Sequence, residues 1–375
     1  MCVVEPLQFN NKNVSLQTKL CHCRTVKKVL RFLLLSLNLV CVLLLLLSTL
    51  TEWVSPSQMS LPSLLSYVCP YLFVINALWV VFWLCFVRKA FLISLAAILL
   101  RMGFIPQYVQ LGGSSEVAVD DGSVLRVMTF NVHGFRGPDD TLSADSGAAR
   151  FVALLHREQP DVLSLEEFTV PRRYALLDTL QAMGYRHRHG ARDRMAGVVL
   201  FSKYPVTPVA GGGPGKVYTD IEWRQRTLRF VSVHLNSYRF TPNETINLSS
   251  FNYNDTSARS IFYKMRETIA WHEREWRDDL QPMIVSSPYP VVVAGDFNDT
   301  PASYIYQQMS KLLNDAFVKQ GRGFCTTYHG RVPSFRIDHI FCSDSFYVQA
   351  YRCIASDISD HYPVMAVLAW NTDKP

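Results

Sequence analysis

The chain is 375 residues long, 49% hydrophobic and 18% charged, with a net charge of +6, which leaves room for a domain of about 250 residues and something smaller. Residues 1–116 hold nine of the 37 Lys and Arg but three of the 31 acids, so the chain beyond Glu116 carries 28 of each sign. That neutral balance gives no support to a strong polyanion partner, and with no Cys-x-x-Cys or His-Glu-x-x-His the common zinc motifs are excluded too.

In chain order, residues 1–30 read as a basic tail and 31–110 as a membrane region. Apolar stretches at about 32–50 and 64–87 each supply the roughly 20 helical residues that cross a hydrocarbon core of about 30 Å. The first exceeds the h-region of a signal peptide, about 7 to 15 residues, and a second span comes after it. A third stretch, 90–110, is interrupted by Arg101. An Arg at mid-bilayer costs about 2.5–3.5 kcal/mol against about 0.3–0.6 gained per Leu, Ile or Phe, a close balance. With Lys27, Lys28 and Arg31 inside, two spans return the chain to the cytoplasm at Arg88-Lys89; a third puts everything after it outside. The expectation is an integral membrane protein of the inner or plasma membrane, its large domain on the periplasmic or extracellular face.

Residues 111–116, Leu-Gly-Gly-Ser-Ser-Glu, form a linker to a domain at 117–375. Helical spacing marks Ser146–Gln159, Arg172–Met183 and Thr256–Met283, and Thr300-Pro301 reads as the start of a helix through Leu313. Charges along Lys264–Arg277 suggest a solvated face on the long helix. Short apolar, β-prone runs occur at Leu125–Phe130, Asp161–Glu166, Gly197–Phe201, Val217–Trp223, Phe230–Val233, Tyr289–Ala294, Tyr347–Ile354 and Val364–Leu368. Such alternation predicts sheets covered by helices. The polar, aromatic stretch Ser237–Ser260, with glycosylation sequons at Asn243 and Asn254, is long for a loop and a candidate for specificity.

Three strand-like runs lead into polar pairs two residues apart, which share a face on a strand: Asn131 and His133, His234 and Asn236, Asp296 and Asn298; a fourth pair, Arg336 and Asp338, opens into the run His339-Ile340-Phe341. Glu167 ends another run. Asn131, Glu167, Asp296, Asn298 and Asp360 together would be rich in hard oxygen donors suited to Mg²⁺ or Mn²⁺, and histidines among carboxylates suit acid–base work near neutral pH.

Six motifs carry a resemblance: Thr129-Phe130-Asn131-Val132, Leu165-Glu166-Glu167, His234-Leu235-Asn236, Gly295-Asp296-Phe297-Asn298, Arg336-Ile337-Asp338 and Ser359-Asp360-His361. In this order they resemble the endonuclease/exonuclease/phosphatase superfamily of DNase I-like, metal-dependent phosphoesterases, over about residues 124–370. The likeness is strongest to membrane-anchored bacterial members. It implies a four-layer α/β (α+β) sandwich, two mixed β-sheets packed face to face and flanked by helices, preceded here by transmembrane helices. By the same resemblance Asn131, Glu167 and Asp360 are the metal ligands, for Mg²⁺ or Mn²⁺. Asp296 orients or deprotonates the attacking water, Asn298 steadies the phosphoryl oxygens, His361 binds the scissile phosphate, Asp338 orients that imidazole, and His234 is a second histidine. Asn236, His133 and Arg336 are candidates for substrate binding; a structural hydrogen bond for His133 and an internal ion pair for Arg336 are equally open. Glu166 stands where Gln is usual and is expected to face away in a structural role. The implied reaction is hydrolysis of a phosphodiester, phosphomonoester or pyrophosphate, for which the membrane anchor favours a lipid-linked substrate. A tethered nuclease and a catalytically silent membrane sensor are the alternatives.

Overall fold

The computed structural model describes residues 11–86, 89–114, 122–172, 174–191, 196–213, 215–238, 240, 255–330 and 334–371. The chain forms two compact units, Met1–Leu46 with Tyr71–Arg101, and Leu47–Pro70 with Met102–Pro375. The stretch between the first two apolar segments thus folds with the large domain, whereas the sequence pattern places it in the membrane region.

In the smaller unit the first helix begins within the expected tail and runs Asn11–Ser48; Cys69–Phe86 and Phe91–Leu100 come next. Residues 25–52 and 60–86 are long and apolar enough to cross a membrane. The third helix stops at Arg101 and gives way to a 3-10 turn, Met102–Gln107, instead of continuing to 110. Val42, Leu45, Leu72 and Ala97 pack together. Beside them Asn38 Nδ2 donates to Ser94 Oγ (2.6 Å), Ser94 Oγ donates to Asn76 Oδ1 (3.0 Å), and Trp83 Nε1 donates to Asn38 Oδ1 (2.9 Å). Polar groups on apolar helices need such partners, and these bind the three helices to one another.

The larger unit is built on two six-stranded sheets, with a small antiparallel pair, β1 (Val109–Gln110) and β11 (Gly323–Phe324), beside them. One has the order β13 (Phe346–Cys353), β14 (Val364–Trp370), β2 (Val124–Asn131), β3 (Val162–Phe168), β5 (Gly197–Ser202), β4 (His187–Gly190). The other runs β10 (Asn314–Asp315), β12 (Asp338–Cys342), β9 (Val291–Asp296), β8 (Arg226–His234), β7 (Lys216–Trp223), β6 (Val206–Pro208). In each sheet only the central pair is parallel, β2 with β3 and β8 with β9. The inner strands are buried on both faces: Leu125, Val127, Leu228, Phe230, Val292 and Ile340 lie in the core between the sheets, while Met128, Phe130, Leu163 and Leu165 face helices on one outer side and Val231, Val293 and Phe341 face helices on the other. This explains why the runs read as continuously apolar instead of alternating. The sheets, with their flanking helices, form the expected four layers.

Boundaries moved for local reasons. The helix expected from Thr300-Pro301 is Tyr304–Leu312, because Ser303 caps it by accepting the Tyr306 N–H (3.3 Å). The long helix runs Asp255–Glu275 and passes through a π turn, Trp276–Leu280. Its charged residues are not all solvated: Glu273 is buried and accepts from Ser57 N and Oγ, both at 2.7 Å, and Glu275 pairs with Lys216 at 2.8 Å. Most of the candidate specificity segment, residues 241–254 with the Asn243 and Asn254 sequons, lies outside the described residues.

Candidate active site

Parallel pairing sets the site. Strands β2 and β3, and strands β8 and β9, each end side by side, so Asn131, Glu167, His234 and Asp296 emerge at one edge of the two sheets. Gly295 allows the second pair to close: a Cβ there would come within 1.8 Å of the Val233 carbonyl oxygen. Asp338 opens β12, ahead of His339–Phe341 as its order in the sequence suggests, and antiparallel register sets it opposite Asp296, at the same edge.

Asn131 Nδ2 lies 3.0 Å from Asp296 Oδ2 and 3.3 Å from Glu167 Oε1. His234 Nε2 is 3.7 Å from Asp296 Oδ2 and 3.9 Å from Glu167 Oε1. His361 Nε2 is 3.8 Å from Asp296 Oδ2, and its Nδ1 is 3.0 Å from Asp338 Oδ2. Ser359 Oγ donates to the Asn131 carbonyl oxygen (2.7 Å) and accepts from the His361 backbone N–H (3.1 Å), which joins Asp360 and His361 to the end of β2. Asn298 lies beyond the end of β9 and is held by its own hydrogen bonds; its backbone N–H donates to Asp296 Oδ1 (2.8 Å) and its amide to the Leu235 carbonyl (2.9 Å).

Three of these residues sit in left-handed backbone: His133 (φ 45°), Glu167 (φ 49°) and Asn298 (φ 50°). Non-glycine residues seldom adopt it, and such strain gathers where side chains must be re-aimed. At Glu167 the cause is a bulge, since the β3–β5 register shifts between Leu165 and Phe168. It turns Glu167 into the cleft while Glu166 goes inward. Glu166 is wholly buried, accepts from Thr129 Oγ1 (2.9 Å) and Ser164 Oγ (2.7 Å), and burial pushes its carboxyl well above the ordinary range.

Burial alone would raise Glu167, but hydrogen bonding from His133 and the charge of His234 hold it down to about 2. His133 is carried by the turn after β2 rather than by the strand. Its Nδ1 is 3.4 Å from Glu167 Oε2 and its Nε2 3.3 Å from Asp140 Oδ1, and the Glu167 hydrogen bond raises it to about 8. Burial would lower His361, yet Asp338 and Asp296 override it and lift the imidazole to about 10. Asp296 is raised from the usual carboxylate range, by burial first, with His361 pulling the other way.

One candidate leaves the site. Arg336 is buried and ion-paired with Asp315 at 2.8 Å, and it also donates to the Gln107 carbonyl (2.8 Å) and Tyr306 Oη (3.0 Å). It precedes β12 and turns away from the cleft, so the internal ion pair is what the structure contains. Asn236 stays at the edge of the cleft, its amide 3.4 Å from Glu275 Oε2.

Asp299 and His272 were missed by sequence reasoning. His272 Nδ1 is 2.8 Å from Asp299 Oδ2 and its Nε2 is 2.7 Å from the Asn236 carbonyl oxygen. Burial opposes its charge, and Asp299 more than compensates, raising it. This buried bridge joins the segment after His234 to the segment after Asp296. The only available signal was Asp299 itself, next to the polar cluster.

A hard divalent cation fits the donors. Asp296, Asp338 and His361 are the tightest cluster among the described residues, but Asp338 and His361 are already bonded to each other. Asn131, Glu167 and Asp360 meet around His133, whose Nδ1 is 3.4 Å from Glu167 Oε2 and 3.9 Å from Asp360 Oδ1 and whose backbone N–H donates to Asn131 Oδ1 (3.1 Å).

Among solved structures, an endonuclease/exonuclease/phosphatase from Beutenbergia cavernae is similar at 20% identity, over 66% of this chain and 72% of that one (TM-score 0.44). The human Nocturnin catalytic domain with bound sulfate is similar at 17%, over 66% and 94% (TM-score 0.47). Danio rerio TDP2 with single-strand DNA product is similar at 18%, over 67% and 100% (TM-score 0.46). No curated protein matches. A domain family of unknown function matches residues 30–108. The endonuclease/exonuclease/phosphatase family matches residues 128–361, more than half of the chain and every strand end described above. This chain therefore belongs to that family, whose members are metal-dependent hydrolases of phosphoester bonds.

Proposed function

We propose that this chain is a membrane-anchored phosphoesterase that hydrolyses a lipid-linked phosphodiester, phosphomonoester or pyrophosphate with Mg²⁺ or Mn²⁺. The observation that carries the hydrolytic reading is the meeting of Asn131, Glu167, His234, Asp296, Asp338 and His361 from both sheets within hydrogen-bond or ion-pair distance. Glu167, Asn131 and Asp360 would hold the cation, which when bound offsets charge on the phosphoryl oxygens. Asp296, with its raised carboxyl, accepts the proton of the attacking water. His361, kept charged by Asp338, donates to the scissile phosphate, and His234 faces the same space. The Asn298 amide, fixed by the Leu235 carbonyl, orients the phosphoryl group, and Asn236 and His133 line its approach.

Membrane anchoring is supported by apolar side chains that nothing in the fold covers: Phe32, Leu33, Leu37, Leu78 and Val81 are exposed on the apolar helices, as lipid-facing residues are. Lys27, Lys28 and Arg31 lie just before the first apolar helix, where positive charge favours the cytoplasmic side, and an odd number of crossings would then put the catalytic domain on the outer face.

The test is the full chain in lipid nanodiscs with Mg²⁺, offered an isoprenoid pyrophosphate, a phospholipid and duplex DNA. Expected is EDTA-sensitive release from one lipid class, lost in Asp296→Ala and His361→Ala. Faster cleavage of DNA than of either lipid would turn the reading to a tethered nuclease, and turnover unchanged in both variants would reject the site.

A further inference from the structure

We propose that the loop between the first two apolar helices is a working part of the catalytic cleft, with Tyr67 as a residue that positions Asn298 through Asp299. The inference rests on the phosphoesterase reading and adds to it a dependence on residues far outside the family match.

The loop is anchored along its length. Thr51 Oγ1 donates to the Ala302 carbonyl (2.6 Å), Ser57 donates twice to Glu273, and Thr300 Oγ1 approaches the Ser66 carbonyl at 3.4 Å. It then folds as a helix, Ser60–Leu65, and a 3-10 turn, Ser66–Val68, which delivers Tyr67 into a buried position. The Tyr67 hydroxyl bonds the Asp299 carboxylate and the Tyr238 hydroxyl, and lies 3.4 Å from the Asn298 carbonyl oxygen. Asp299 accepts from Tyr238 Oη as well (3.1 Å) and meets His272. The carboxylate thus has three partners, Tyr67, Tyr238 and His272, and a buried carboxylate that loses one of its donors must move or take up a proton.

Tyr67 also holds two sides of the cleft together. Its ring meets Tyr238 edge-on, with centroids 5.5 Å apart, and Phe335 at 6.0 Å. Tyr238 comes shortly after His234 and Asn236. Phe335 pairs with Tyr328 through backbone hydrogen bonds, and the Tyr328 ring meets that of His361 at 5.1 Å. A residue between the apolar helices therefore spans from the His234 side to the His361 side and, through Asp299, reaches the left-handed turn at Asn298. A loop serving only as an anchor has no need to bury a tyrosine hydroxyl on that carboxylate.

The test uses the full chain in nanodiscs with Mg²⁺ and bis(p-nitrophenyl) phosphate as the probe, comparing wild type, Tyr67→Phe, Tyr67→Ala and His361→Ala. Tyr67→Phe keeps the ring contacts and should lower kcat about tenfold, the worth of one hydrogen bond to a charged group, with KM within about twofold. Hydrogen exchange on the same samples should quicken at 234–238 and 296–300 in Tyr67→Ala. An unchanged kcat in Tyr67→Phe together with unchanged exchange at 296–300 in Tyr67→Ala would overturn the proposal. If His361→Ala is as active as wild type, or wild type does not turn over, the phosphoesterase reading fails instead, and the exchange measurement alone decides whether Tyr67 holds Asn298.

Discussion

Asp315→Asn tests the account of Arg336. The two side chains are 2% and 3% exposed and 2.8 Å apart, the guanidinium lies between the rings of Phe317 (4.6 Å) and Tyr306 (5.3 Å), and neighbouring His339 is no competing charge, because burial first and then Arg336 hold it down to about 3. The substitution keeps the volume and leaves an oxygen to cap the Phe317 N–H, now at 2.8 Å, so what it removes is the charge. Taking one partner from a buried pair costs about 3–5 kcal/mol, because the other charge is left uncompensated; with one acceptor retained, the lower end, about 3 kcal/mol, applies. At about 2–4 °C per kcal/mol for a domain of this size, the full chain should melt about 6–12 °C lower by tryptophan fluorescence. Adding Arg336→Met removes the stranded charge and should restore at least half of that shift. A drop under about 2 °C would mean that Arg336 reaches water, and a double variant that melts like wild type but has lost turnover would return Arg336 to the substrate.

Other contacts set further expected outcomes. Asp338→Asn withdraws the carboxylate that keeps His361 charged, so the alkaline limb of kcat/KM should fall by about one to three pH units. The raised His361 also stabilises the fold fully below about pH 6.5 and loses that contribution as pH climbs through about 10; the Asn variant should melt with a flatter dependence across that window, and an unchanged slope would refute the pairing. Glu166, raised by burial, stabilises below the ordinary carboxylate range and costs stability as pH rises toward its folded value, so Glu166→Gln should gain on wild type between pH 5 and 8; equal melting at both ends would place a charged Glu166 in contact with water. Gly295→Ala should yield little folded protein, because its Cβ would sit 1.8 Å from the Val233 oxygen and force β8 from β9; a soluble, active variant would contradict that register.

Much of the site was legible because it depends on local pattern. Asn131, Asp296 and Glu167 end apolar runs, and a run that stops at a polar residue marks a strand end without any knowledge of its neighbours. Asp338 reaches the cleft without Arg336: two-residue spacing pairs the two, while the strand begins at Asp338 and separates them. His272 was hidden in a helix whose charges looked solvated, since periodicity says which face is apolar and not which part of it lies beneath a cleft. Tyr67 is 232 residues from Asp299, and nothing in the spacing of either reports on the other.

The two sheets have the same succession of partners: antiparallel, antiparallel, parallel, antiparallel, antiparallel. The chain takes the same route through both in a circularly permuted order, β6, β7, β8, β9, β10 and β12 corresponding to β13, β14, β2, β3, β4 and β5, so the pseudo-twofold is not a tandem repeat in the sequence. A twofold along the strands carries one parallel pair onto the other in chain order, β2 onto β8 and β3 onto β9, which makes Asn131 the counterpart of His234, and Glu167 the counterpart of Asp296. Across the cleft each residue meets a member of the other pair, Asn131 facing Asp296 and Glu167 facing His234. The scaffold is nearly symmetric where its chemistry is not: the two carboxylates are counterparts, but an amide on one side answers an imidazole on the other, which gives bond cleavage a direction that the backbone alone does not supply.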